Sequence, residues 1–219
     1  MENARIKEIV AYDEICQLAH EGAKVVHPRA VEIVMQKYIP MRIRSVWGLG
    51  VGTLVTNTSE IEKETIDITR DRMITGITQI PELAQINIHI QESTDVLAMK
   101  QRLFQVLAEA GISLDFINIY PEKVVFTIKQ QQAEQVIKMI ETIGLGEISC
   151  LSDCAKVAAV GAGMTGVPGV MATIVDALAQ EKIEILQAND SYTTIWLLVK
   201  MEHMEKAVRA LHQCFHLAS

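Results

Sequence analysis

A gap-free internal repeat is the feature that most restricts how this chain can fold. A shift of 71 positions superimposes two long stretches of its apolar pattern. Five apolar positions of each copy follow spacings of 3, 4, 3 and 1, which mark one face of a helix. They are Val96, Met99, Leu103, Val106 and Leu107 in the first copy, and Val167, Val170, Ile174, Ala177 and Leu178 in the second. We therefore predict two copies of one small module.

Each copy continues with strands and a second helix. The shift carries Asn118 onto Asn189 and the apolar run 124–128 onto 195–199, and a second helical stripe follows at 133–140 and at 204–211. With strand-like segments ahead of each copy, at 86–90 and 156–160, the order becomes βαββαβ. This order predicts an α+β fold of two ferredoxin-like modules. Asp95 suits the N-cap of the first module's first helix, and Pro168 suits the first turn of its counterpart.

The second copy lacks a segment for its closing strand. The first copy has a candidate at 146–150, whereas only residues 215–219 follow the last helix of the second. Because an unpaired sheet edge is a liability, we predict that residues 73–80 pair with the second copy's sheet. The predicted division is an N-terminal part at 1–57, a polar linker at 58–71, the added strand at 72–82, a first module at 83–152 and a second at 153–219.

The N-terminal part has a different character. Ile15, Leu18 and Ala19 form a helical stripe that Gly22 can end, and Pro28 can begin a second helix. Strand candidates follow at 41–46 and 53–56. This set is too small for an independent catalytic domain and is typical of the end of a larger α/β fold.

Composition excludes several classes of protein. No stretch approaches about 18 consecutive apolar residues, so we predict no membrane span. The net charge of −7 with scattered basic residues argues against a nucleic-acid partner. The first residues lack an apolar signal core. Cys150 and Cys154 are four apart, but no second pair or nearby histidine completes a metal set. We therefore expect a cytoplasmic protein with reduced thiols and no metal. His212 and His216 lie one helical turn apart but lack an evident third ligand.

Beyond this pattern, specific residues resemble a known family. Residues 12–14, 18–19 and 22–32 closely resemble the end of the kinase domain of aspartate kinases, and Ile39-Pro40, Arg42, Arg44-Ser45 and Gly52-Thr53-Leu54 continue the likeness in order. The double repeat resembles the paired ACT domains of that family. Residues 161–170 and 185–190 are similar to the second ACT domain of the bacillus-type enzymes. The resemblance covers essentially the whole chain.

The resemblance implies a regulatory role in amino-acid biosynthesis. Aspartate kinases transfer the γ-phosphoryl group of ATP, with Mg²⁺, to the β-carboxylate of L-aspartate, which opens the routes to lysine, diaminopimelate, threonine and methionine. End-product amino acids inhibit them by binding at the ACT domains. This chain lacks the family's amino-terminal Lys-Phe-Gly-Gly signature, so we expect it neither to catalyse nor to bind a cofactor alone.

Lys24 matches the family's lysine that approaches the nucleotide, where its charge would offset that of the phosphates. The plain alternative is a solvated lysine at a helix end. His27 and Arg29 are expected to be structural, with His27 fixing the turn before Pro28 and Arg29 pairing with a carboxylate.

The second module carries the glycine-rich segment 161–166, which spells G-x-G-x-x-G after a strand. A dinucleotide site would need more strands than can follow Asp190. We instead predict that glycines at a helix N-terminus let backbone N–H groups bind the carboxylate of a free amino acid, although a tight packing turn is the plain alternative. The predicted effector residues are Met164, Thr165, Gly166, Val167, Pro168 and Gly169 on one side, with Gln187, Asn189 and Asp190 facing the ammonium.

The equivalent site of the first module follows from the resemblance and the repeat. Its predicted residues are Ser93, Thr94, Asp95, Val96 and Leu97, with Asp115, Asn118 and Ile119. Asp115 could equally be a solvated strand residue. The resemblance implies lysine or a lysine-like end product as the ligand.

The leading hypothesis is therefore a regulatory polypeptide of aspartate kinase that binds lysine, diaminopimelate or threonine. It would form a homodimer or associate with a full-length kinase chain. Two alternatives stay open at this point: a stand-alone amino-acid-binding protein without a kinase partner, and a nicotinamide-dependent enzyme that uses the glycine loop.

Overall fold

Two long antiparallel strands run through the centre of the molecule. They are Ile74–Ile90 (β4) and Gly146–Gly161 (β7), paired over nearly their whole length. A computed structural model describes residues 6–47, 50–57, 74–90, 95–161, 168–191 and 193–217 of the chain. The predicted linker at 58–71 lies outside these residues.

The remaining elements of the repeat extend these two strands. In the first copy they are helix Val96–Glu109 (α3), strands Asp115–Ile119 (β5) and Lys123–Lys129 (β6), and helix Ala133–Ile143 (α4). In the second they are helix Val170–Gln180 (α5), strands Gln187–Asp190 (β8) and Thr194–Lys200 (β9), and helix Met204–Cys214 (α6). The order in the sheet is β5-β6-β4-β7-β9-β8, and every pair is antiparallel.

Each half of the sheet is a ferredoxin-like module, which confirms the predicted fold class. In the first module, residues 83–90 of β4 lie between β6 and the start of β7. In the second, residues 154–160 of β7 lie between β9 and residues 74–80 of β4. The segment 74–80 is thus hydrogen-bonded to the second module's sheet, although the first module follows it directly in sequence.

The sequence suggested four separate strands where the structure has two continuous ones. Pro81 separates the two halves of β4 and cannot donate to the ladder. The pairing with β7 shifts register between Ile80 and Leu83, and Glu82 there has φ 58°. Such a bulge lets the strand pass the proline without ending.

The two module cores match the predicted helical stripes. Leu103 and Leu107 of α3 are buried against β4, β6 and α4, while Ile174 and Leu178 of α5 are buried against β7, β9 and α6. Asp95 is the N-cap of α3, because its carboxylate accepts a hydrogen bond from the Ala98 N–H at 2.9 Å. The prediction for Pro168 was wrong by two residues. Helix α5 begins at Val170, after Gly169 in a left-handed conformation with φ 96°.

The N-terminal unit (described residues between 6 and 57) has its own small core. Its elements are strand Ile9–Ala11 (β1), helices Tyr12–His20 (α1) and Pro28–Gln36 (α2), and strands Met41–Ile43 (β2) and Thr53–Thr56 (β3). Strand β3 lies between β1, its parallel neighbour, and the antiparallel β2. Val31 and Val55 are fully buried where the helices pack on this sheet.

The end of α1 packs on β4 of the second module. The Thr78 hydroxyl donates to the Glu21 carbonyl at 2.8 Å, and Leu18 lies over Gly76. Gly22 has φ +101°, and a Cβ there would lie 2.7 Å from the Gln79 carbonyl oxygen. Only glycine permits this close approach. Among the described residues, no helix combines the length and the hydrophobicity needed to cross a membrane.

Candidate functional site

The open sheet faces of the two modules meet at a seam. Each module covers one face of its sheet with helices, and the other faces share an apolar cluster of Leu83, Phe116, Cys154 and Leu198. Trp196 and Leu186 pack against this cluster. Strands β5 and β8, which lie at opposite ends of the sheet order, are brought into contact here.

A network of side-chain amides links β5 to β8 across the seam. The Gln187 Nε2 group donates to the Phe116 carbonyl at 2.7 Å and also to Asn118 Oδ1. Asn118 Nδ2 in turn donates to Asn189 Oδ1 at 3.2 Å. Since Asn118 and Asn189 are 71 positions apart, equivalent residues of the repeat meet each other. The seam therefore has local pseudo-two-fold symmetry.

A polar cleft of about 360 Å³ opens beside this network. Small-molecule sites typically have volumes of about 300–1,000 Å³. The cleft is lined by Gln85, Asn87, Asn118, Tyr120, Lys123, Val125, Leu186 and Gln187. The Gln85 amide donates to Gln187 Oε1 at 2.8 Å, whereas the buried Asn87 Oδ1 has no hydrogen-bond partner among the described residues.

This lining has the chemistry to hold a small zwitterion. The ammonium of Lys123 offers a charge partner for a carboxylate. Amide oxygens, above all the unpartnered Asn87 Oδ1, offer acceptors for an ammonium. Asn87 Oδ1 is shielded from solvent, so a ligand donor would reach it only after the side chain turns toward the cleft, and the oxygen would then regain a hydrogen bond.

The predicted second-module residues separate into three groups. Met164, Thr165, Gly166 and Val167 lie outside the described residues. Pro168 and Gly169 are exposed immediately before α5. Gln187 lines the cleft and Asn189 joins its amide network, while Asp190 is exposed at the end of β8.

The predicted first-module residues are also divided. Ser93 and Thr94 lie outside the described residues, and the Asp95 carboxylate caps α3. Val96 packs on the first module's core, whereas Leu97 and Ile119 are exposed. Asn118 lines the cleft. Asp115 is not a freely solvated strand residue, because its carboxylate is 2.6 Å from the ammonium of Lys156.

Sequence reasoning missed most of the cleft. Gln85 and Asn87 alternate along β4 with the buried Ile86 and Ile88, so their side chains lie on the open face. That alternation was visible in the sequence as polar residues within an apolar run. Tyr120 follows β5 and Lys123 begins β6, and no sequence signal indicated a site there.

The residues assigned from the kinase resemblance lie between α1 and α2 or in the first turn of α2. Lys24 is exposed there. His27 is the N-cap of α2, and its carbonyl accepts a hydrogen bond from the Ala30 N–H at 2.9 Å. Arg29 is exposed and has no carboxylate within 4.0 Å among the described residues, so the expected ion pair is absent there.

The structure has Cys16, Cys150, Cys154 and Cys214 as free cysteines. Burial raises the pKa of the Cys154 and Cys214 thiols. Burial, with the nearby carboxylates of Glu32 and Asp13, also raises the pKa of Cys16. The potential ligand atoms of Cys16, His20 and Glu32 lie within 4.8 Å of one another. His20 Nε2 and Glu32 Oε1 already form a contact of 3.3 Å on the surface.

Comparisons with known proteins point to one family. The ACT domain model matches residues 149–213. Over 220 aligned residues, the chain is 41% identical to aspartokinase 1 of Bacillus subtilis, covering all of this chain and 53% of that protein. It is 31% identical to the aspartokinase of Geobacillus stearothermophilus, covering 98% of this chain and 51% of that one. The chain thus spans about half the length of these curated relatives.

Solved structures agree with the sequence relatives. The regulatory subunit of aspartate kinase from Thermus thermophilus is 31% identical, with 66% of this chain and 99% of that one covered and a TM-score of 0.58. The aspartate kinase of Clostridium acetobutylicum matches 98% of this chain and 50% of its own, with a TM-score of 0.86 and 23% identity. At that identity the second likeness concerns the fold.

Proposed function

The chain belongs to the aspartokinase family, and we propose that it is the regulatory, amino-acid-sensing portion of an aspartate kinase. The observation that carries the proposal is the match to a regulatory subunit over 99% of that subunit's length. The amide-lined cleft between the modules supplies a place where such a ligand could bind.

The kinase activity of the whole protein is the second part of the proposal. Relatives named aspartokinases match this chain along its full length, from the N-terminal unit to the last helix. In the complete enzyme, ATP with Mg²⁺ would phosphorylate L-aspartate. This chain would contribute the end of the kinase domain, with Lys24 near the nucleotide. The close packing of α1 on β4 favours a kinase-linked regulator over a stand-alone amino-acid-binding protein.

The proposed ligand is a free end-product amino acid: lysine, diaminopimelate or threonine. Its carboxylate would meet Lys123, and its ammonium would meet Asn87 Oδ1 and neighbouring amide oxygens. The residues 164–169 before α5 and 93–97 before α3 stay proposed as effector residues at the module ends. A homodimer, or association with a full-length kinase chain, is the proposed assembly.

Isothermal titration calorimetry with lysine, diaminopimelate and threonine tests the proposal. We expect one of them to bind at or below millimolar concentration. Asn118→Ala should weaken binding about 2- to 13-fold, because a lost hydrogen bond is typically worth about 0.5–1.5 kcal/mol. Gln213→Ala, an exposed residue of α6, is the matched control and should leave the affinity unchanged. No binding of any of the three at millimolar concentration would contradict the proposal.

A further inference from the structure

One buried lysine joins all three parts of the chain. Lys156 lies on β7 in the second module and is 5% exposed. Its ammonium is 2.6 Å from Asp115 Oδ2 on β5 of the first module. It is also 3.0 Å from Glu21 Oε2, at the end of α1 in the N-terminal unit. In the described part of the chain, Lys156 and Glu21 are the only charged residues that are buried.

Aromatic rings complete the surroundings of this ammonium. Phe116 of the first module and Trp196 of the second each place a ring centroid 5.9 Å from Lys156 Nζ. A cation over an aromatic face is attracted by the ring quadrupole, and the attraction is larger when water is excluded. The lysine is therefore held by groups from both modules and by one carboxylate of the N-terminal unit.

The two carboxylate contacts differ in quality. Asp115 makes a direct hydrogen bond with Lys156 through Oδ2, and its Oδ1 accepts a second one from the Phe116 N–H at 2.8 Å. Glu21 Oε2 is buried and close to the ammonium but makes no well-directed hydrogen bond. Glu21 Oε1 accepts a hydrogen bond from Gln17 Nε2 at 3.2 Å, so charge alone holds only the contact of Oε2 with Lys156. A buried carboxylate without a charge partner is costly, so the position of Glu21 Oε2 depends on how closely the Lys156 ammonium approaches it rather than Asp115.

A continuous series of contacts leads from the cleft to this lysine. Gln187 lines the cleft and donates to the Phe116 carbonyl at 2.7 Å. Phe116 has φ 53°, a left-handed conformation that its neighbours must maintain. The adjacent Asp115 fixes its N–H and binds Lys156. A ligand that displaces Gln187 would therefore act on the segment that anchors the ammonium.

We propose that Lys156 is the positioning residue through which ligand binding in the cleft alters the packing of α1 on the second module. The inference rests on the proposed amino-acid-sensing function. One ammonium contacts two carboxylates, so a change in its hydrogen bond with Asp115 changes the strength of its electrostatic attraction to Glu21. Since Glu21 ends α1, the effect reaches the N-terminal unit. Coupling of this kind is reciprocal, so the packing of α1 must equally change the ligand affinity.

Amide hydrogen exchange of the full chain, with and without lysine, diaminopimelate or threonine, tests this inference. In the wild type, a bound amino acid should change the exchange rates in α1 several-fold. Glu21→Gln removes the charge at the end of α1 but leaves the cleft intact. Because the coupling is reciprocal, the ligand affinity of this variant should shift by no more than the same several-fold factor, while the ligand-dependent change in α1 is lost.

Glu14→Gln is the matched control. Glu14 lies on the same helix and pairs with Lys7 at 2.9 Å, away from Lys156. This variant should keep the ligand-dependent change in α1. A merely structural salt bridge would lower the stability of Glu21→Gln without removing its response.

The outcomes separate this inference from the proposed function. If an amino acid binds the wild type and exchange in α1 is unchanged, the coupling is refuted and the sensing function stands. If Glu21→Gln keeps the full response, or Glu14→Gln loses it equally, the coupling is also refuted. If none of the three amino acids binds, both proposals fail.

Discussion

Replacement of Ile74 by alanine provides the sharpest test of how the chain is divided into modules. Ile74 lies at the start of β4, ahead of the whole first module in sequence. Its side chain is 1% exposed and belongs to the core formed by α5, α6, β7 and β9. We therefore predict that Ile74→Ala destabilises the second module, although all of that module except residues 74–80 follows residue 145.

The expected cost follows from the buried volume. The substitution removes three buried carbon groups, worth about 0.8 kcal/mol each, or about 2.4 kcal/mol of transfer free energy. The cavity left behind brings typical losses for such substitutions to about 2–5 kcal/mol. This is a large fraction of the about 5–15 kcal/mol that stabilises an ordinary domain.

Native-state hydrogen exchange measures where this loss occurs. Amides of β9 and of residues 154–161 should lose protection by the free energy given above, while those of β6 and α3 should change less. Ile88→Ala is the matched control, because Ile88 lies on the same strand but is buried in the first module's core. Ile88→Ala should lower the protection of amides in β6 and α3 more than that of amides in β9 and residues 154–161. Equal loss of protection in both modules for both variants would refute the assignment of residues 74–80 to the second module.

Three further substitutions test local features. Gly22→Ala should lower the free energy of unfolding in denaturant by about 2–5 kcal/mol, because of left-handed strain and the clash with the Gln79 carbonyl. Gly111 has φ +68° and open space around it, so Gly111→Ala should cost only about 1–2 kcal/mol. Equal costs for the two variants would contradict the close approach at Gly22. Asp95→Ala should lose about 1 kcal/mol in thermal unfolding through the lost N-cap, and Asp95→Asn should restore most of it. Burial raises the pKa of the Cys154 thiol, so the unfolded thiol ionises first as the pH rises. The contribution of Cys154 to the free energy of unfolding should thus be constant below about pH 8 and fall as the pH passes the ordinary thiol pKa of about 8.5. Cys154→Ser should show a smaller fall in this range than the wild type, and parallel pH profiles would argue against the shift.

Much of the fold was predictable because it depends on local pattern. The repeat and its helical stripes identified which faces of α3 and α5 are buried, since apolar periodicity records the side of an element that leaves water. The cap at Asp95 was predictable for the same reason, because its donor lies three residues away. The continuity of β4 through Pro81 was not, because a bulge depends on the partner strand.

The candidate site was less accessible from the sequence. Asn118 and Gln187 were assigned to two separate sites, and the structure places them in one amide network. Asp115 was assigned to a ligand and instead contacts Lys156, 41 residues further along the chain. Nothing in the sequence indicated that Lys156, a charged residue of an apolar strand, would be buried.

The sequence by itself determined that two similar modules form and which face of each is apolar. Only the tertiary structure decided what covers the other faces, and so created the seam, the cleft and the junction at Lys156. The physical reason is that periodicity specifies how one element divides between core and surface. The partners of a polar residue on the open face are set by how twisted sheets meet in space, across separations that leave no trace in local pattern.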